Sequence, residues 1–172
     1  WAMPIRVEPA HLEWLSALAE SDEAFTQRFG VPVEPGWIGF PEALPFAVGA
    51  ARERDADPWG SHLFFDDDGA LVGFGGFKGP PADGQVEIGY AVAPSRQGRG
   101  IATSATRWMI DRAREAGVGI VVAHTLAGVN ASTAVLVRCG FVHVDTTSDP
   151  DGDVTDDVFR WELPLGSDST DQ

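Results

Sequence analysis

A glycine-rich stretch, Gln97-Gly98-Arg99-Gly100-Ile101-Ala102, separates an apolar strand pattern from a helical pattern in this chain of 172 residues. The strand pattern occupies residues 86–92, and the helical pattern runs from residue 101 to residue 116. A glycine-rich turn in this position brings backbone N–H groups and a helix N-terminus close to a ligand, which is an arrangement that binds phosphate well. The stretch therefore predicts a phosphate-binding turn inside a strand–turn–helix unit.

Two common kinds of phosphate-binding turn are excluded by their spacing. The P-loop requires a Gly-Lys pair, and the sequence contains none. The dinucleotide-binding fingerprint requires a third glycine where Thr103 stands, and an acidic residue about 20 residues further on, where His124 and Thr125 fall. Neither nucleotide class explains the turn.

The order of elements around the turn predicts one α/β (α+β) domain. The pattern is a strand, helices, three strands, a helix, a strand, a helix and two strands, which predicts a mixed sheet with helices on both faces. Strands are predicted at residues 5–8, 61–65, 70–77, 86–92, 119–125, 141–147 and 157–163, and helices at 9–19, 22–29, 41–54, 101–116 and 131–139. The domain is expected to span residues 3–165, followed by a polar tail at 166–172, with Trp1-Ala2 as a remnant of expression.

Charge and composition exclude several classes of partner. A net charge of −14 argues against nucleic acid, which is bound by basic patches. No apolar run approaches the length of a membrane span and no signal-peptide pattern is visible, so we expect a cytoplasmic protein without a membrane partner. The segment 149–153 resembles a calcium loop, but its glycine is misplaced and the closing glutamate is missing, so we expect an acidic turn at 148–156 and no metal site.

A family resemblance emerges from Gln97, Gly100 and Ala102, which form the pattern Gln-x-x-Gly-x-Ala. This pattern resembles the acyl-coenzyme A signature of the GNAT superfamily of N-acetyltransferases. Residues 86–94 are similar to the family's fourth strand, and residues 130–141 are similar to its late helix and the Gly-Phe that follows. The late helix is most similar to the branch that includes ribosomal-protein alanine acetyltransferases. The resemblance implies a mostly antiparallel sheet of about seven strands, with a central splay between strands four and five.

The resemblance also implies a coenzyme site, with acetyl-CoA as cosubstrate. Its pyrophosphate is expected on the backbone N–H groups of the glycine turn, and its pantetheine arm beside the fourth strand, where Gly89 is placed for a bulge. The implied coenzyme-binding residues are Ala91, Val92, Gln97, Gly98, Arg99, Gly100, Ile101, Ala102, Asn130 and Ser132. Two of these have ordinary alternatives: Arg99 as a solvated turn residue, and Asn130 as a helix N-cap.

The implied reaction is direct attack of an amine on a thioester, which needs a proton acceptor and a donor for the developing oxyanion. Glu87 on the fourth strand is the candidate base, with a cross-strand salt bridge or substrate orientation as alternatives. The backbone N–H of Val92 is the candidate oxyanion donor. Leu136 stands where many family members carry a tyrosine acid, so the thiolate is left to depart unassisted or with help from water or Ser132. Tyr90 and His124 are interpreted first as packing residues.

The acceptor is expected to be a primary amine of a small molecule or a peptide N-terminus. Aromatic walls for its pocket are expected from Trp37, Phe40 and Trp59. Two other functions stay open: a non-catalytic acyl-CoA-binding or regulatory module, motivated by Leu136, and a protein-directed acetyltransferase whose acidic face docks a basic partner. The chain is expected to be a monomer or a homodimer.

Overall fold

The computed structural model describes residues 5–128, 130–148 and 157–166. The predicted expression remnant, nearly all of the acidic turn at 148–156 and most of the polar tail lie outside these residues. The elements are β1 Arg6–Pro9, α1 Leu12–Glu20, α2 Asp22–Phe29, α3 Ala43–Glu53, β2 Ser61–Phe65, β3 Leu71–Phe77, β4 Gln85–Val92, a 3₁₀ turn Pro94–Arg96, α4 Ile101–Glu115, β5 Ile120–Leu126, α5 Ala131–Arg138, β6 Val142–Ser148 and β7 Asp157–Pro164.

The seven strands form one mixed sheet in the order β1-β2-β3-β4-β5-β7-β6. Neighbouring strands are antiparallel except β4 and β5, which are parallel. A parallel pair requires a crossover connection, and α4 supplies it. The predicted fold class and the predicted mixed, mostly antiparallel sheet of about seven strands are confirmed.

Helices cover both faces of the sheet, as predicted. One core joins β4 and β5 to α4 and α5, through Val86, Ile88, Met109 and Leu136 among others. The second core joins β2 and β3 to α1, α2 and α3; its largest members include Leu15, Phe25, Leu63 and Phe65. β2 contributes to both cores, through Phe64 to the first and through Leu63 and Phe65 to the second, because successive side chains of a strand point to opposite faces.

The central splay arises because β4 and β5 pair with each other over only part of their length. Their parallel pairing runs from Gln85 opposite Ile120 to Ile88 opposite Ala123 and then ends. Beyond that point β4 stays paired with β3 as far as Val92, while β5 stays paired with β7 as far as Leu126. The two strands therefore separate, and the predicted splay is confirmed.

Two details of the central strands differ from the predictions. The ladder between β3 and β4 runs through Gly89 without a register shift, so the expected bulge is absent there and divergence of β5 opens the splay instead. The near-continuous apolar run at residues 119–125 predicts a strand that is buried on both faces. Val121, Val122 and Ala123 are buried, but His124 and Thr125 are only half-buried, because the strand has left β4 by that point.

Candidate active site

The glycine turn, defined as residues 97–102, ends on the first residues of α4. Gly98 and Gly100 have φ angles of +78° and +81°, which lie in the left-handed region that favours glycine. Gly100 is the N-cap of α4 and provides no side-chain capping bond, so the first N–H groups of the helix have neither a partner within the helix nor a capping side chain at this residue. A Cβ placed on Gly98 would meet nothing within 4 Å, which leaves room for a ligand against its backbone. The turn has the form of an anion site.

The other residues of the turn divide between anchoring and exposure. Ile101 is buried against Ala70 and Val72, which fixes the start of α4 on β3. The amide nitrogen Nε2 of Gln97 donates to the carbonyl of Val92 at 3.2 Å, which ties the turn to the end of β4. Arg99 is exposed, and Ala102 is half-buried. Arg99 is therefore the cation of the turn that a ligand can reach from solvent.

The open edge of β4 presents the backbone of Tyr90 and Val92 to the splay. The carbonyl of Glu87 accepts the N–H of Lys78, which follows β3, so the backbone of Glu87 faces β3. Because backbone groups of a strand alternate between its two edges, Ala91 also faces β3, whereas Tyr90 and Val92 face the splay. This alternation favours Val92 over Ala91 as a source of backbone hydrogen bonds.

Glu87 lies just before the splay, on the face of the sheet opposite α4. Its neighbours Val86 and Ile88 are buried in the α4 core, so the carboxylate points to the other side. Atom Oε2 is 2.7 Å from Nζ of Lys78, and Oε1 is 3.2 Å from Nδ1 of His124. The cross-strand salt bridge considered for Glu87 is therefore present, and the carboxylate also reaches the first residue of β5 beyond the pairing with β4.

His124 is the neighbour of Glu87 that the sequence did not reveal. Its Nδ1 is buried and lacks a partner with hydrogen-bond geometry among the described residues, although Oε1 of Glu87 lies 3.2 Å away. Its place beside Glu87 follows from the strand register: His124 is two residues beyond Val122, which pairs with Glu87, and thus shares its face. The sequence alone does not give this register, so it indicated only a packing role for His124.

Asn130 caps α5. Its Oδ1 accepts the N–H of Thr133 at 3.0 Å, Oγ1 of Thr133 accepts the N–H of Asn130 at 2.9 Å, and Nδ2 donates to Leu126 at 3.2 Å. The helix-cap alternative for Asn130 is therefore what its contacts show. Its contact with pantetheine stays a prediction.

Leu136 stands at the position where many family members carry a tyrosine acid, and Tyr90 lies on β4. Leu136 is fully buried in the α4 core. The hydroxyl of Tyr90 donates to the carbonyl of Ser132 at 3.1 Å, and burial raises the pKa of Tyr90 above its usual value. Tyr90 thus keeps its proton and directs it to the first turn of α5, as expected of a packing residue with a polar tip.

The three aromatic residues expected around the acceptor are not brought together. Trp37 is buried in the α1–α3 core, where its Nε1 donates to Asp22 at 3.1 Å. Phe40 is exposed, and Trp59 packs on Phe77 with 4.8 Å between ring centroids. Phe40 is the member of the set that lies on the surface beside β4, because it follows Gly39, which approaches Ala91.

Comparison with known proteins agrees with this architecture. The model of the acetyltransferase (GNAT) domain family matches residues 5–142. The chain belongs to the GNAT acetyltransferase family. It is 35% identical over 98 residues to the mycothiol acetyltransferase of Sanguibacter keddieii, a stretch that makes up 51% of this chain and 31% of that relative. The match thus spans about a third of that relative's length.

Solved structures share the fold. A putative acetyltransferase from Salmonella typhimurium, determined with its cofactor acetyl-CoA, superposes with a TM-score of 0.66 at 19% identity and 98% coverage of both chains. A ribosomal-protein-alanine N-acetyltransferase from Brucella melitensis gives a TM-score of 0.65 at 22% identity, covering 93% of this chain and 99% of that one. Enzymes of the predicted branch are thus among the structural neighbours. In the part of the chain that the structure describes, no helix is both long and apolar enough to cross a membrane.

Acetyltransferases of this family use acetyl-CoA, and the residues present suit it. The uncapped start of α4 and the open backbone at Gly98 match the needs of a pyrophosphate. The free edge of Val92 matches a peptide-like pantetheine arm, which adds to a strand as a short peptide would. Both features lie at the same end of the splay.

Proposed function

We propose that the protein is an acetyl-CoA-dependent N-acetyltransferase that transfers the acetyl group to a primary amine of a small molecule or a peptide N-terminus by direct attack. The observation that carries this proposal is the convergence, at one splay, of an anion-binding turn, a free strand edge and a half-buried carboxylate, Glu87. A turn or a carboxylate alone would suit many proteins, but the three together match the donor and the proton acceptor that acyl transfer to an amine requires.

The donor side is carried by the glycine turn and β4. Acetyl-CoA supplies an acetyl group activated as a thioester. The N–H groups of residues 98–102 would hold its phosphates, with the dipole of α4 and the exposed Arg99 adding favourable charge. The N–H of Val92 would face the thioester carbonyl, where a fixed donor stabilises negative charge as the amine attacks. Gln97 helps by holding the carbonyl of Val92.

The proton side is carried by Glu87. Its carboxylate would take the proton that the amine must lose, directly or through water. Lys78 stabilises the negative charge of this carboxylate, and His124 lies on its other oxygen. Both neighbours fix the carboxylate at the mouth of the splay, so that it need not reorganise when the amine arrives.

The leaving thiolate has no tyrosine acid at the usual position, because Leu136 is a core residue. An ordinary thiol has a pKa of about 8.5, so a thiolate is a tolerable leaving group near neutral pH. We infer that the thiolate leaves unassisted or takes a proton from water or Ser132.

The test is a thiol-release assay with acetyl-CoA across a panel of amines, followed by Glu87→Gln at the best amine. The substitution should lower kcat by about 10²–10⁴, the usual contribution of a positioned base, and leave acetyl-CoA affinity unchanged. Glu115→Gln, which removes an exposed carboxylate on α4, is the control and should leave kcat unchanged. An unchanged kcat in Glu87→Gln would remove Glu87 from the proton-accepting role.

A second candidate function is a non-catalytic acyl-CoA-binding module, and Leu136 is the observation that favours it. Saturable acetyl-CoA binding without thiol release from any amine would support this alternative. The amines on the panel can follow the names of the similar proteins, which include a spermidine N-acetyltransferase chimera, a mycothiol acetyltransferase and ribosomal-protein-alanine N-acetyltransferases.

A further inference from the structure

Arg96, one residue before the glycine turn, carries a cluster of charges that the proposed reaction does not use. Its Nη2 is 2.9 Å from Oε1 of Glu34, and its Nη1 contacts Oδ2 of Asp66. Ser95 adds a hydrogen bond from Oγ to the other oxygen of Glu34 at 2.8 Å. We call Glu34, Asp66, Ser95 and Arg96 the Arg96 clamp.

Asp66 is the first of the two carboxylates in the Arg96 clamp, and it is held rigidly. Its side chain is 1% exposed, and its Oδ1 accepts the N–H groups of Asp68 and Ala70, each at 3.0 Å. These bonds hold the carboxylate in the turn between β2 and β3. A buried carboxylate strongly disfavours the loss of its cation, so Arg96 is bound firmly in place.

Glu34 is the second carboxylate of the Arg96 clamp and belongs to the segment of residues 34–40. The N–H of Glu34 donates to Leu71 of β3 at 2.9 Å. Hydrogen bonds from Ser95 and Arg96 hold the pKa of the Glu34 carboxyl below its usual value. The carboxylate is thus charged at neutral pH and fully engaged with residues 95 and 96.

The segment 34–40 also lies directly on the end of β4. A Cβ on Gly36 would stand 2.8 Å from Cδ of Pro94, and a Cβ on Gly39 would stand 2.6 Å from Cβ of Ala91. Only glycine allows such an approach at these positions, where φ is +81° and +76°. The segment therefore packs closely on the end of β4 and on the 3₁₀ turn that precedes the glycine turn, and the clamp joins it to Arg96, the last residue of that 3₁₀ turn.

We propose that Arg96 is a positioning residue: through Glu34 and Asp66 it fixes the conformation of the coenzyme turn, and so it sets the affinity for acetyl-CoA without touching the coenzyme. This inference rests on the proposed function of the turn. The charge of Arg96 is balanced by two carboxylates, whereas Arg99 is exposed, so the two arginines have different roles. Arg99 would meet phosphate, and Arg96 holds the backbone that does so.

Glu34→Gln separates this positioning role from simple electrostatics, because the two give opposite signs. Removing a negative charge near an anion site should tighten binding of a polyanion if only Coulomb forces matter. If the clamp positions the turn, the same substitution should weaken binding. The measurement is calorimetric titration with acetyl-CoA of the full chain, at fixed salt concentration.

The expected result is a rise in Kd of at least about 5-fold for Glu34→Gln, at the low end of typical coupling between separate sites. Arg96→Gln should weaken binding further, and Arg96→Lys should restore part of the affinity because a single ammonium cannot bridge both carboxylates as a guanidinium does. The control Glu115→Gln also removes one carboxylate, but from the far end of α4, and should leave Kd unchanged. An unchanged or lower Kd in Glu34→Gln would overturn the clamp.

Amide hydrogen exchange at residues 97–102 tests the clamp without coenzyme. Exchange should be faster in Glu34→Gln than in the parent protein and unchanged in Glu115→Gln; equal rates at the turn in the parent and Glu34→Gln would also overturn the clamp. If the parent protein fails to bind acetyl-CoA but exchange at the turn is still faster in Glu34→Gln, the proposed function is wrong. The clamp would then position the turn for another ligand.

Discussion

His62 shows how one buried residue can control the pH dependence of stability. It is fully buried on β2, between the rings of Phe77 and Trp108, with centroid distances of 5.9 and 5.1 Å. Its Nδ1 lies 2.9 Å from the carbonyl of Gly60, which can only accept, so Nδ1 carries the proton. Nε2 is buried and unbonded among the described residues, so its protonation would bury an unpaired charge.

Burial lowers the pKa of His62 from its usual value of 6.5; the nearby Arg112 also lowers it, and Gly60 and Asp57 oppose the shift. A histidine with a lowered pKa in the folded state binds fewer protons there than in the unfolded chain. Its contribution to stability is therefore present above about pH 6.5 and is lost as the pH falls through the lowered pKa. We predict that the free energy of unfolding falls more steeply with decreasing pH in the parent protein than in His62→Gln. The measurement is urea titration at several values from pH 7.5 to pH 5. Parallel pH profiles would contradict this prediction.

The sequence predicted the glycine turn and Glu87, but it did not predict which side chains contact them. The turn residues form a local pattern, and Glu87 belongs to a strand that the resemblance covers. Lys78, His124 and Glu34 reach the site only through strand register and the course of a loop, which neither periodicity nor spacing encodes. Clusters assembled across strands are the part of a site that a single sequence conceals.

The glycines of β3 show how an element is shaped by its neighbours. In the sequence, Gly73, Gly75 and Gly76 indicate either close backbone approach or a bulge in this strand. A Cβ on Gly75 would stand 2.4 Å from the carbonyl oxygen of Gly89 and 2.7 Å from Cζ of Phe64. Phe64 is fully buried and its ring lies over this strand, so glycine is needed to pack it. Glycine lowers the strand propensity of β3, but it leaves room for the ring of Phe64 next to β4.

Gly75→Ala should therefore destabilise the protein by about 1–3 kcal/mol, the usual effect of overpacking a filled core. The measurement is the free energy of unfolding from denaturant titration. Gly49→Ala is the matched control: this glycine lies inside α3, and a Cβ there would meet nothing within 4 Å. That substitution should stabilise by about 0.5–1 kcal/mol, because alanine is the better helix former. Equal effects of the two substitutions would contradict this account of β3.

Residues at the ends of helices were informative. In the sequence, Ser21 predicts the start of α2, and Gly30 and Gly117 predict the ends of α2 and α4. In the structure Ser21 caps α2, Gly30 at φ +69° is its C-cap, and Gly117 at φ +77° follows the end of α4. Pro94-Ser95 predicts a turn, and the structure has a 3₁₀ turn at Pro94–Arg96. Its last residue, Arg96, contacts two carboxylates that are distant in sequence, and local propensity cannot show such contacts.

The site is a property of the whole sheet. No element contains the splay; it exists because β4 follows β3 to its end while β5 follows β7. The glycine turn then connects β4 to α4 across this opening, and the segment 34–40 covers the end of β4 from the other face. This arrangement places an anion site and a carboxylate at one opening between two separate cores.

The sheet was predicted partly by pattern and partly by resemblance. Alternating strand and helix patterns predict a mixed sheet with covered faces, but the splay between strands four and five came from the family resemblance. The acceptor pocket was the part of the site that the sequence predicted least well, because Trp37, Phe40 and Trp59 lie in three different environments. Aromatic composition cannot distinguish a core residue from a pocket wall.

Calorimetric titration of the parent protein with acetyl-CoA is the most direct test of coenzyme binding at the splay. We expect saturable binding of one acetyl-CoA per chain at concentrations below about 1 mM, the upper end of usual KM values. We also expect binding to weaken with added salt, because the phosphates would contact the turn and Arg99. Absence of binding at such concentrations would contradict the assignment of the turn and the splay to acetyl-CoA.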